Sequence, residues 1–303
     1  MPDPAISAIA LAKTFGGVAA VRGVNLSVPA GSIYGILGPN GAGKTTTLRM
    51  LLGIIDPDGG ERRILGAKDP LSVAPQVGYL PEERGLYPGM TAREAIAFMG
   101  ALRGLPLAEG RRRAIALLAE HGLPADRPIR TLSKGMAQLV QLLGTIVHHP
   151  RLIVLDEPFS GLDAINQQRL EGLIRAQAAG GATILFSTHV IAHAERLCER
   201  IAIIAGGEVR FEGEIAAARA RLPSRVRLAT KMMDGPWRAA LPADAAFRDG
   251  AWSFQLPQDG IEPLLAALID AKAGIETLAI EPPSLHDAFV AIVGAEPEPE
   301  PAA

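Results

Sequence analysis

GPNGAGKTT, residues 38–46, sets glycines, a lysine and hydroxyls in the order G-x-x-x-x-G-K-[ST]. Each residue type has a chemical reason. Gly38, Gly41 and Gly43 let the backbone wrap tightly. The N–H groups of a loop completed by Pro39, Asn40, Ala42 and Thr46 then turn inward on phosphate oxygens. A helix starting here adds its positive end. Lys44 supplies a charge for the β and γ phosphates, and the Thr45 hydroxyl is placed to bind Mg²⁺. The bland alternative is a glycine-rich turn that ends in Lys-Thr, and the strand-like run before it and helical run after it argue against that. LIVLDEP (152–158) is the second such stretch. Asp156 ends an apolar run, and a buried carboxylate there needs a cation, which Mg²⁺ shared with Thr45 provides. Glu157 follows at once, placed to polarise a water attacking the γ-phosphate. Taken alone, the pair also reads as an ordinary solvated strand-end turn.

The elements that must hold these loops are legible as apolar runs. IYGILG (33–38) predicts a buried strand feeding the turn, and TTTLRMLLGII (45–55) has helical spacing. LIVLD (152–156) and ATILFST (182–188) are near-continuous apolar runs, as in parallel strands covered on both faces. RIAIIAGGEVRFEG (200–213) predicts two strands about Gly206-Gly207. Residues 1–218 therefore read as an α/β domain of alternating strands and helices, with a helical part at about 84–148. Beyond it, RVRLAT, WSFQL and IETLAI alternate with helix-like IEPLLAALIDAKAG and SLHDAFVAIVG. That predicts a small α+β domain over 219–293. The acidic, Pro-rich end at 294–303 predicts an extended, disordered tail.

The chain has 303 residues, 48% of them hydrophobic, and a formal net charge of −2. That suffices for a sizeable core and argues against a nucleic-acid partner. The single cysteine, Cys198, cannot form an internal disulfide, so a reducing compartment is expected. No signal peptide and no apolar run of about 18 residues is seen. A soluble, cytosolic-type protein is expected.

In their order and spacing these motifs resemble the ATP-binding subunit of ATP-binding-cassette (ABC) transporters, over roughly residues 5–215. SGLD (160–163) matches the family's D-loop, and His189 after ILFST matches its switch histidine. GYLPEE (78–83) falls at the Q-loop, with Glu82 where most cassettes carry Gln, and LSKGM (132–136) falls at the signature. Phe15 falls where the family stacks an aromatic ring on adenine. The resemblance implies a P-loop NTPase cassette with a helical subdomain, ATP and Mg²⁺ as cofactors, and ATP hydrolysis. It makes Glu157, His189 and Lys44 catalytic, with Glu82 joining Thr45 and Asp156 near the metal. It also implies head-to-tail pairing with a second ATP-binding subunit, in which Ser133, Lys134, Gly135 and Asp163 act across the interface. Separate integral-membrane permease subunits would dock near residues 82–98, holding the chain on the cytoplasmic face of the cell membrane. YLPEERGLYPGMT, LSKGMAQLVQ, DEPFSGLDAINQQRL and PPSLHDAFVAIV more narrowly resemble the sodium-efflux-type exporter branch. Two other classes are a soluble mechanical ABC ATPase acting on nucleic acid or ribosomes, and a non-hydrolysing regulatory cassette. The absence of a heptad run counts against the first, and intact Lys44, Asp156, Glu157 and His189 against the second.

Some residues carry two readings. Phe15 is either a core residue or the adenine contact. His189 and His193 form an H-x-x-x-H spacing with no evident third metal ligand. In TLSKGMAQLV (131–140), Met136, Leu139, Val140, Leu143 and Val147 recur at helical spacing as a core face. Ser133 is a favoured N-cap, and Gly135 is expected to let the backbone approach a ligand. Lys134 either adds a charge near the γ-phosphate or faces solvent.

Overall fold

The computed structural model describes residues 3–83 and 85–294, which form two units divided between Glu214 and Ile215. In the first unit the chain opens with β1 (Ile6–Phe15) and β2 (Val18–Val28), then β3 (Ile33–Leu37) and α1 (Lys44–Leu51). β4 (Gly59–Ile64) returns to pair with β1, giving an antiparallel sheet of order β2-β1-β4. Sequence reading expected alternating strands and helices here. This sheet differs because its strands are covered on one side only, and bulged registers such as that between Ala8 and Leu11 blur the alternation.

The remaining strands of the first unit are β5 (Val77–Leu80), β6 (Leu152–Asp156), β7 (Thr183–Thr188), β8 (Arg200–Ala205) and β9 (Glu208–Glu214). Together with β3 they form a sheet of order β5-β6-β7-β3-β8-β9, parallel except for β9. Every residue of β6 and β7 is buried, which explains their unbroken apolar runs. The pairing places β7 between β3 and β6. The carboxyl ends of all three strands therefore open on one edge, where ligands bind in open α/β sheets.

Three α-helices lie between β5 and β6 among the described residues: α2 (Ala92–Ala101), α3 (Leu107–Glu120) and α4 (Lys134–Ile146). Thr91 and Glu94 close a capping box on α2. In α4, residues 137–147 are all buried, so this helix is a core element rather than an amphipathic cover. Each fully buried Leu along it contributes about 1.5–3 kcal/mol. Met136, expected to anchor the core, is only half-buried, whereas Leu139, Val140, Leu143 and Val147 are buried. α5 (Ala164–Ala179) and α6 (Ile191–Leu197) complete the unit.

The second unit begins with α7 (Ile215–Arg219). Its antiparallel sheet has the order β11-β12-β10-β13, from β10 (Arg225–Thr230), β11 (Ala246–Arg248), β12 (Ala251–Gln255) and β13 (Ile275–Glu281). α8 (Glu262–Asp270) and α9 (Leu285–Val293) are its longer helices. Alternation on β10 and β12 turns Val226, Leu228, Trp252 and Phe254 into a core with Trp237 and Leu264. The predicted acidic tail lies, Gly294 apart, outside the described residues.

Candidate nucleotide and hydrolysis site

β3 delivers the loop 38–43 to the start of α1. Gly43 caps that helix in the left-handed region, with φ 98°. A Cβ there would stand 2.5 Å from the Ala20 carbonyl oxygen on β2. Glycine is thus demanded twice, by backbone conformation and by space. Lys44 is buried. Its Nζ donates to the Gly38 carbonyl at 2.8 Å and to the Pro39 carbonyl at 3.1 Å. Glu157 Oε1 lies 3.3 Å from the same nitrogen without hydrogen-bond geometry, so that contact is ionic.

β6 ends in Asp156, fully buried. Asp156 Oδ1 accepts from Thr45 Oγ1 at 3.0 Å and from Ser187 Oγ at 2.6 Å, while Oδ2 is buried with no partner. Burial raises the Asp156 pKa above the usual carboxylate range, and the two hydroxyl donors oppose that shift. A buried, orphaned carboxylate oxygen beside a hydroxyl suits a hard divalent cation. Glu157 next adopts φ 46°, rare for a residue with a Cβ. Its N–H donates to Ser187 Oγ at 3.0 Å, and its Oε2 lies 3.0 Å from His189 Nδ1. One carboxylate therefore faces a cation on one side and an imidazole on the other.

Asn40, Gly41, Ala42, Gly43, Lys44, Thr45 and Thr46 line a cavity of about 460 Å³ with Glu82, Glu157 and His189. Ser160, the first residue of SGLD, lines it as well, and so does Ala20, to which no sequence signal pointed. Ser187 was also missed. The polar pair at the end of the apolar run ILFST was its one visible sign. Other candidates stand apart from the cavity. Phe15 is 48% exposed, outside the core, with Lys13 Nζ 5.7 Å from its ring centre. Ser133 caps α4 by accepting from Met136 N–H, and Lys134 is exposed. Asp163 caps α5, accepting from Asn166 N–H at 2.8 Å and Asn166 Nδ2 at 2.9 Å.

Gly135 also makes a contact within its own chain. It is buried, and a Cβ there would run into the Asn166 side chain, 2.7 Å from Cγ. An intrachain contact between α4 and α5 thus crowds any side chain placed here, whatever meets the glycine backbone. His193 is held within its own chain. It stacks on Phe159 with ring centres 4.0 Å apart, and its Nδ1 lies 2.9 Å from Arg196 and 3.4 Å from Glu171. Among the described residues no group of three or more His, Cys, Asp or Glu could hold a metal.

A phosphate-cradling loop on a parallel sheet, with a lysine, two strand-end carboxylates and a histidine, defines a P-loop nucleotide-hydrolysing protein. The family model for ABC transporters matches residues 21–160. The chain is 35% identical over 310 residues to the daunorubicin/doxorubicin resistance ATP-binding protein DrrA of Streptomyces peucetius, covering 97% of this chain and 93% of that protein. It is 38% identical over 216 residues to the Nod factor export ATP-binding protein I of Ralstonia nicotianae, covering 70% and 67%. A solved dimeric ATP-binding cassette in a post-hydrolysis state, bound to ADP and Pi, superposes with TM-score 0.61 at 26% identity, covering 69% and 98%. The chain belongs to the ATP-binding subunits of ABC transporters, and its activity is that of an ATPase.

Proposed function

We propose that the chain powers an exporter, with Glu157 as the group that activates water. The carrying observation is the cluster of buried Lys44 and Glu157 with half-exposed His189 at the mouth of the phosphate loop. Its geometry supports the following division of work. Backbone N–H groups of residues 40–46 and Lys44 hold the β and γ phosphates. Glu157 takes a proton from water as the oxygen bonds to the γ-phosphorus. The bond from that phosphorus to the β–γ bridging oxygen breaks, and ADP and inorganic phosphate result. His189 contacts the γ-phosphate and orients Glu157.

Thr45 and Asp156 would hold Mg²⁺, with Glu82 facing the same cavity. The ion supplies neutralisation of charge on the β and γ phosphates. Ser133, Lys134, Gly135 and Asp163 would serve ATP held by a second cassette. Their separation from the cavity of their own chain supports that reading. The named relatives' roles in drug resistance and Nod factor export support export here. Among the described residues no helix is long and apolar enough to cross a membrane, so the motion would pass to separate permease subunits. A largely apolar groove of about 260 Å³, lined by Leu86, Tyr87, Met90, Phe98 and Leu102, supports docking within 82–98.

Glu157→Gln tests the assignment. The variant is expected to bind ATP normally, to hydrolyse it at least ~100-fold more slowly, and to accumulate an ATP-bound dimer. Turnover near that of the native protein would remove Glu157 from this role.

A further inference from the structure

We propose that Ser187 is a positioning residue for hydrolysis, fixing both strand-end carboxylates through one hydroxyl. Ser187 lies on β7, fully buried, with Asp156 as its direct neighbour across the parallel β6–β7 pairing. Its Oγ donates to Asp156 Oδ1 at 2.6 Å and accepts from Glu157 N–H at 3.0 Å. The hydroxyl therefore uses its one proton on the carboxylate assigned to the metal. It spends a lone pair on the backbone of the residue assigned to water activation. Both bonds are buried, so water cannot replace either.

The Glu157 contact has a specific purpose. A glutamate with φ 46° is held in a sparsely populated conformation, and the following Pro158 removes the next backbone N–H. The described hydrogen bonds give the Glu157 N–H one acceptor, Ser187 Oγ. Without it, no other hydrogen bond among the described residues holds the amide side of this peptide, and Glu157 Oε1 and Oε2 would leave Lys44 and His189. The Asp156 contact fixes rotation of the other carboxylate, so that Oδ1 serves hydroxyls and Oδ2 remains buried without a partner. A seryl hydroxyl between β3 and β6 thus ties the geometry of the phosphate loop to that of the water-activating residue.

The inference rests on the roles given above to Glu157 and Asp156, and its test separates the two. Ser187→Ala removes only the hydroxyl. It is expected to lower kcat about 10- to 100-fold, with KM for ATP changed less than about threefold. Ser187→Thr and Ser187→Val have the same shape and differ in the hydroxyl, so Thr should recover much more of kcat than Val. In a Glu157→Gln background, Ser187→Ala should add little further loss, because the residue it positions is already disabled. Binding gives a readout apart from turnover. Titrating a fluorescent ATP analogue with Mg²⁺ should show a higher Mg²⁺ requirement for Ser187→Ala, and unchanged affinity for the analogue without Mg²⁺. Native kcat in Ser187→Ala would overturn the proposal, as would equal rates for Thr and Val or multiplying losses in the double variant. If Glu157→Gln itself keeps its turnover, the water-activation reading fails, whatever Ser187 does.

Discussion

Around Lys44 a few ångströms decide what each group can do. The buried Lys44 ammonium is held by two loop carbonyls and the Glu157 carboxylate, which compensate its charge. Glu82 faces the same cavity from just beyond β5 and adds a second carboxylate to its lining. Glu82→Gln is expected to leave ATP affinity intact and to shift the Mg²⁺ concentration for half-maximal turnover. Superimposable Mg²⁺ titrations of the two proteins would remove Glu82 from the metal's surroundings.

At the scale of elements, α4 joins parts of the site that are distant in sequence. Its buried Gln138 donates to the Pro158 carbonyl at 3.3 Å, just after Glu157. Its first turn packs Gly135 on Asn166, which Asp163 holds at the start of α5. A change at Gly135 is therefore felt through Asp163. Gly135→Ala gains helix propensity of about 1 kcal/mol but forces Asn166 aside, an overpacking cost of about 1–3 kcal/mol. The melting temperature should fall, and adding Asn166→Ala should restore most of it. That result is a coupling of about 1 kcal/mol or more in a double-mutant cycle. Independent, additive losses would show that Gly135 is not kept by this contact.

Across the whole molecule, stability is expected to depend on pH through a half-buried histidine just beyond α4. Burial pushes the His148 pKa down to about 4, although its Nε2 lies 3.3 Å from the Val77 carbonyl, a contact that opposes the shift. The unfolded chain, with an ordinary histidine value near 6.5, binds this proton first as pH falls. The His148 contribution to stability is therefore complete above about pH 6.5 and is lost progressively toward pH 4. Melting temperatures measured from pH 7 to 4 should fall, and His148→Gln should flatten that slope. An unchanged slope would place the acid sensitivity elsewhere. The second unit has its own core around Trp237, Trp252 and Phe254, so the fold does not rest on a single hydrophobic cluster.

Local chemistry sufficed to read much of this protein from its sequence. The spacing of Gly38, Gly43, Lys44 and Thr45 is contiguous, and so is the apolar run ending in Asp156 and Glu157. Glycine freedom, charge and strand length act over a few residues, so such patterns keep their meaning without a fold. The antiparallel β1–β2–β4 sheet was less legible, because half-covered, bulged strands have a weak alternation. Long-range pairing decided the rest. Only the register of β6 on β7 brings Ser187 beside Asp156, and only the packing of α4 beside α5 sets Gly135 against Asn166. Those contacts join residues 31 positions apart in each case, a distance at which sequence periodicity carries no information about which side chains meet.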